Sequence, residues 1–426
     1  MTLQTTLTGR LRGRWDFLII LTIKLAIIGM FLPIKISNFI MFLLLALVLL
    51  IGKYSDAWSR LKRSILPYFL LYYAIHIVGI LYSENHFAAI KELDKKIPFL
   101  ILPVVFSLID PKLLLKERVN ILLFFARLTI IVSIALGIYS FIRYWQTKDI
   151  NVFFYTGFTD LIKFHPVYLA GYLIFATIIL LVIPKERVAK WSVIRDGGII
   201  IFSFFMLILI SSKTALFIFL VLIGYILLER ITSIHWSSKI LICVGFLMMS
   251  GVVIYSFPVT RARIQDSLNS NWSGILDDEY TQKASTYTGA TLRFSFWKVT
   301  AKEIYSDNKV LEGVGTGDQT DYLNKVYDKY GLLNVGYVNY NLHNVLMEVI
   351  LEFGLIGFAF FTALILKASH LAKIYGDNIL ACLLVIFILL GMTESLWNIN
   401  KGIFFFTFFF CFLCCSLPTK STYLDK

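Results

Sequence analysis

Residues 341–366, NLHNVLMEVILEFGLIGFAFFTALIL, pass within a few positions from a polar stretch to a membrane-grade apolar run. As a helix rising 1.5 Å per residue, positions 345–366 are long enough to cross a hydrocarbon layer about 30 Å thick. Comparable runs recur at 17–34, 36–52, 65–82, 97–109, 119–142, 164–183, 196–211, 213–229, 239–257, 378–397 and 402–417. The run at 97–109 is short, and only SSK separates 196–211 from 213–229. With 58% hydrophobic and 16% charged residues, a soluble fold of this length would lack the polar surface to cover its core. The sequence therefore predicts an all-α polytopic membrane protein with about twelve transmembrane helices. RLRGRW precedes the first run, which lacks a small-residue cleavage site and so reads as a retained span.

Charge orients this arrangement. Lys and Arg gather between alternate runs, as in Arg10, Arg12 and Arg14, then Lys53, Arg60, Lys62 and Arg63, then Lys112, Lys116 and Arg118. These segments hold about twice the positive charge of the short loops on the other side, so both termini are expected in the cytoplasm. The net charge of +13 is thus spent on punctuating spans and forms no long basic tract, which argues against nucleic acid as a partner. Three parts follow: a bundle of about nine spans at 1–257, a long polar loop at 258–344 on the outer side, and a bundle of about three spans at 345–426. Cys243, Cys382, Cys411, Cys414 and Cys415 all fall in apolar runs and are read as small lipid-buried residues, with neither a disulfide framework nor a zinc site.

A polar loop of this length is unusual unless it folds or functions. Residues 266–291 read as turn-rich or disordered, LRFSFWKVTAKEIY (292–305) as a helix, and EGVGTGD (312–318) as a tight turn. A nucleotide-binding glycine motif requires a strand before it and a helix opening after it inside a βαβ unit, whereas this turn lies in a predicted outer loop where nucleotides are not expected.

Several residues on the predicted outer side carry chemistry. Arg293 and Trp297 are four apart and share a helix face; the pattern alone favours an interfacial helix, with an arginine fork offered to a phosphate as the functional alternative. His343 precedes the apolar run, with Asn341 or Asn339 placed to cap the helix, and histidine is the side chain suited to take a proton near neutral pH. Asn344 and Glu348 share one face of that helix. Lys213, after ILISS, reads as a snorkelling cation. Glu394, in GMTESLWNINKG, is a carboxylate at membrane depth, a costly feature that is usually paired or functional. His165 and Tyr168, in FHPVYLAGY, fall on the same side. Lys24 and Arg127 lie deepest in apolar runs, with no partner evident in the sequence.

Residues 291–318, TLRFSFWKVTAKEIYSDNKVLEGVGTGD, then HNVLMEVILEFGLIGF (343–358) and TESLWNINKGIFFFTFFF (393–410), together resemble the O-antigen ligase and O-antigen polymerase superfamily. Motif order and spacing match over roughly residues 195–415. The resemblance implies an inverting, metal-independent glycosyltransferase without cofactor in a bacterial inner membrane, its 258–344 loop periplasmic. The implied donor is a glycan on undecaprenyl pyrophosphate, and the acceptor a hydroxyl of lipid A–core or of a growing glycan. His343 occupies the position of the family's proposed base and Arg293 that of a pyrophosphate-binding arginine. Lys213 stands where relatives often carry arginine, and Glu394 matches an acidic position. Trp297, Asn344 and His165 complete the implied substrate-binding set. The runner-up activities are polysaccharide polymerisation and transfer to protein hydroxyls. From another class, a transporter of polysaccharide or lipid shares the span count but lacks an evident pair of Gly- or Pro-broken spans in matching halves.

Overall fold

The computed structural model describes residues 2–183, 189–230 and 289–417, with the helix Pro258–Leu268 and scattered positions between 245 and 280. Among the described residues the chain is helical, without strands. In order the helices are α1 (Thr2–Gly29), α2 (Ile34–Ile51), α3 (Ala57–Arg63), α4 (Leu66–Ile80), α5 (His86–Lys95), α6 (Pro98–Leu108), α7 (Pro111–Thr147) and α8 (Pro166–Val182). They continue as α9 (Ala189–Ile210), α10 (Lys213–Arg230), α11 (Pro258–Leu268), α12 (Ala290–Ser306), α13 (Gln319–Lys329), α14 (Val345–Tyr375), α15 (Asn378–Gly391) and α16 (Asn400–Cys415).

Helices α2, α7 and α14 are long and apolar enough to cross a membrane; α4, α8, α15 and α16 are shorter apolar helices. Most predicted runs fall on a helix. Two boundaries differ in kind. The run 378–397 ends as a helix at Gly391, and residues 392–399 form a turn before α16. The pair around SSK is divided at Ser211, whose φ of 55° lies in the left-handed region and stops α9. The run 239–257 and most of the turn-rich stretch 266–291 lie largely outside the described residues.

A helix that is apolar all round belongs in a core, and α8 and α16 behave this way: nearly every residue of each is buried. Phe405 of α16 stacks on Tyr172 at 4.2 Å and meets Phe125 and Phe175. Trp397, just before α16, is enclosed by Phe69, Phe99, Phe361 and Phe387. Cys382, Cys411 and Cys414 are buried between these helices and do not face lipid, which corrects the sequence expectation. Lys401, in the short outer link expected between the runs 378–397 and 402–417, is instead interior: its Nζ donates to Gly29 O (3.1 Å), Leu32 O and Ser37 Oγ (2.9 Å). A cation there adds to the hydrogen bonds on the carbonyls at the C-terminus of α1 and meets the negative end of its dipole.

The run that opened the sequence analysis is broken. Gly354 has φ 57° and ψ −149°, so α14 is two helices meeting at a kink. The EGVGTGD turn fills the gap. Val314 N donates to Leu351 O (2.8 Å) and Gly315 N to Glu352 O (3.0 Å), while Leu355 N donates to Val310 O (2.9 Å) and Ile356 N to Leu311 O (3.3 Å). Backbone groups released by the kink are thus re-paired by the loop, as an apolar setting demands. Two glycines make this approach feasible. A Cβ on Gly313 (φ 71°) would stand 2.5 Å from the Glu352 carbonyl, and one on Gly354 would stand 2.4 Å from Leu311 O.

Candidate functional site

Four residues between α15 and α16, positions 392–395 (Met-Thr-Glu-Ser), are gripped by segments from across the chain. Asn344 Nδ2 donates to Met392 O at 3.3 Å, and Thr393 Oγ1 pairs with Thr214 Oγ1 at 3.1 Å. Glu394 receives Arg293 Nη2 at 3.2 Å on Oε1 and faces His343 Nδ1 at 3.8 Å across Oε2. Ser395 Oγ donates to Glu348 Oε1, and its carbonyl lies 3.5 Å from the Tyr168 hydroxyl.

Local chemistry explains how His343 arrives there. Asn344, not Asn339 or Asn341, is the N-cap of α14; its Oδ1 accepts Leu346 N (2.9 Å) and Met347 N (3.2 Å). Asn341 instead accepts the His343 N–H at 3.2 Å, and Asn339 exchanges hydrogen bonds with Asn324 of α13. His343 therefore sits outside the helix, with φ 48°, a conformation for which His is enriched among non-glycine residues. Trp297 fixes the chain just before it, donating Nε1–H to Leu342 O at 2.7 Å. One turn earlier on α12, Arg293 reaches Glu394. The shared helix face predicted for Arg293 and Trp297 thus points at the turn on either side of His343.

The three titratable side chains are partly open, with 26% exposure for Arg293, 32% for His343 and 12% for Glu394. Glu394 uses one N–H of the Arg293 fork, and Arg293 Nε is buried without a partner among the described residues. With Nδ1 turned to the carboxylate, His343 has its Nε2 edge on the far side of the ring, the nitrogen suited to accept a proton. Lys213 opens α10 and is exposed; the Thr214–Thr393 bond puts its neighbour beside Glu394. His165 is set apart. It is the N-cap residue of α8, lies 3.4 Å from the Tyr155 hydroxyl, and is a ring neighbour of Tyr168, whose hydroxyl meets the turn. Lys24 finds a partner in the Phe124 ring, 5.6 Å away.

The loop has its own small core, built from Phe296, Val299, Leu323, Tyr327 and Tyr337. Glu303 ties its two helices, accepting Lys329 Nζ at 2.6 Å and the Tyr330 hydroxyl at 2.8 Å. Burial alone would raise its pKa, but these bonds and the lysine charge outweigh that and hold the carboxyl below its ordinary 4.5. A depressed carboxyl contributes stability above its unfolded pKa and loses it as pH falls through the folded value. Thermal unfolding of the purified protein is therefore expected to shift down below about pH 4.5, and Glu303→Gln should remove that component. An acid limb unchanged in the variant would assign it elsewhere.

A second polar cluster escaped the sequence reading. Glu352 receives Lys96 Nζ on both oxygens, at 2.9 and 2.8 Å, and His76 Nε2 lies 3.3 Å from Oε1. All three are almost fully buried. His76 Nδ1 donates to Tyr72 O, and its own carbonyl accepts Thr316 Oγ1 from the glycine turn, both at 2.7 Å. Glu348 and Glu352 stand four apart on an apolar helix, the signal that a carboxylate pair at membrane depth would have offered. Lys96, in a sequence-predicted outer loop, gave no such sign.

Residues 198–362 match the protein-family model described as O-antigen ligase. That segment includes Lys213, Arg293, Trp297, His343 and Asn344, whereas His165 and Glu394 lie outside it. No curated protein matches the chain.

Proposed function

We propose that this chain, whose residues 198–362 match the family model described as O-antigen ligase, is a glycosyltransferase moving a glycan from undecaprenyl pyrophosphate to an acceptor hydroxyl at the periplasmic face of the bacterial inner membrane. The observation that carries this reading is the meeting of His343, Arg293 and Glu394 at one turn. An acceptor hydroxyl has a pKa far above 7, so its attack on the anomeric carbon is helped by a base that takes its proton as the new bond forms; His343 fills that role. The glycosidic C–O bond to the phosphate breaks as the sugar inverts, and the pyrophosphate leaves with the bonding electrons. Arg293, with Lys213 at the start of α10, answers that charge; Glu394 orients the arginine and the imidazole. Base and cation effects are each worth about 10²–10⁴-fold by analogy with other enzymes.

Lipid A–core is the acceptor we favour, with polymerisation of glycan repeats as the neighbouring reading. Purified protein given lipid-linked glycan and acceptor should release the free carrier and form a glycosidic product. Gene deletion in the host separates the two acceptors: core without attached glycan marks a ligase, and core capped by a single repeat marks a polymerase. Unchanged surface glycolipids would overturn both. A transporter reading draws some support from the broken helix α14, since discontinuous helices often build transport sites. Here the break is filled by backbone from residues 310–315, which takes up the Leu351 and Glu352 carbonyls that a cargo would need.

Arg293→Lys tests the fork. Lysine keeps the charge but not the planar, multi-donor geometry. We expect transfer to fall by about 10-fold or more, roughly the worth of one charge-assisted hydrogen bond, with normal membrane insertion. Unchanged kinetics would reduce Arg293 to a loop anchor.

A further inference from the structure

Arg127 is exposed on α7, well inside the apolar run 119–142, and has no hydrogen-bond or ion-pair partner among the described residues. Across a groove from it stands Arg195 of α9. Asp196 occupies the Nε and Nη2 of that arginine, and Nη1 is buried without a partner among the described residues. Among the described residues, two guanidinium groups stand against one carboxylate at this end of the groove. Below them lies a space of about 470 Å³ walled by Ile130, Leu180, Ile199 and Phe202. Phe202 also borders a second, almost wholly apolar space of about 560 Å³ reaching Ile138, Phe141 and Met206. From Arg127 to Phe141 the trough follows α7 for ~21 Å, more than the ~15 Å of hydrocarbon in one leaflet.

We propose that the α7–α9 groove is a binding site for an anionic glycerophospholipid, its phosphate held by Arg127 and Arg195 and one acyl chain laid along the apolar trough. An arginine facing lipid at this depth is costly unless it meets an anion or snorkels to one. A phosphate on Arg127 meets that need, and Arg195, partly exposed on the facing wall, adds its charge from the side. An anionic headgroup is favoured over a zwitterionic one because Asp196, the one carboxylate at the groove among the described residues, is already engaged by Arg195. The site is separate from the candidate catalytic turn, since Arg195 and Ile210 are ~22 Å apart along α9, and it does not depend on the glycosyltransferase reading.

The test measures lipid, not transfer. Purified protein in detergent is titrated with phosphatidylglycerol or phosphatidylcholine, and retained lipid is read by native mass spectrometry alongside the melting midpoint. Wild type should retain phosphatidylglycerol about fivefold better, as one lipid-facing arginine pair warrants, and melt higher with it. Arg127→Ala should bring the ratio to about one. Gly198 lines the groove, and a Cβ there meets nothing within 4 Å, so Gly198→Phe should fill the trough without disturbing the fold and lower retention of both lipids. Equal retention of the two lipids by wild type, or a preference that survives Arg127→Ala, would overturn the proposal. Retention unaffected by Gly198→Phe would remove the acyl seat.

Discussion

His343→Asn is expected to slow glycan transfer by about 10²–10⁴-fold, the range of a general base, while the protein inserts and melts as wild type does. Asparagine is the informative substitution because the backbone at this position is left-handed, with φ 48°. Asn tolerates that region better than Ala, so a fall in rate reports lost chemistry and not a strained loop. The side chain is about one-third exposed, and its Nδ1 contact with Glu394 is 3.8 Å, too long to count as a hydrogen bond that holds the fold. Initial rates with purified lipid-linked glycan provide the measurement. Transfer at the wild-type rate would take His343 out of the mechanism while leaving Arg293 and the carrier chemistry to be judged by their own variants.

The second large effect is on stability. Glu352→Ala should destabilise the protein by about 3–5 kcal/mol, the usual consequence of leaving a buried charge uncompensated. Lys96 and Glu352 side chains are 1% and 2% exposed, so solvent screening does not soften the loss. The ammonium of Lys96 would lose both carboxylate oxygens and His76 its neighbour. Replacing the whole pair, Lys96→Met with Glu352→Leu, should recover much of the stability, because two apolar side chains of similar size need no partner. Thermal unfolding in detergent distinguishes the outcomes. A mild single variant would mean that water reaches this cluster. A double variant as unstable as the single would mean that the charges do more than neutralise each other.

The sequence was informative in proportion to how local each feature is. Apolar runs placed most helices, because transmembrane hydropathy is a property of contiguous residues. The helix at 292–305 and the glycine turn were equally legible. The N-cap was misplaced by a few residues: Asn339, Asn341 and Asn344 are all competent caps, and only the left-handed backbone at His343 shows that the helix starts after it. Arg293, His343 and Glu394 could be put on one side of the bundle from charge bias, but their contact depends on a turn at 392–395 that hydropathy absorbed into a span. Lys96 and Lys401 failed for a different reason. Each looked like an exposed loop cation, and each is buried by partners more than 200 residues away in the chain.

The backbone splice at Gly354 bears on how this protein can be engineered. Exchanging the long loop between relatives is an obvious route to a new acceptor preference, yet this loop is not an independent cassette. Four main-chain hydrogen bonds join residues 310–315 to residues 351–356, so a transplanted loop arriving without its matching stretch of α14 would leave unpaired amides and carbonyls in the apolar interior. A chimera that moves residues 289–358 as one piece keeps both sides of the splice, whereas a junction drawn at the polar–apolar boundary near residue 344 cuts through it.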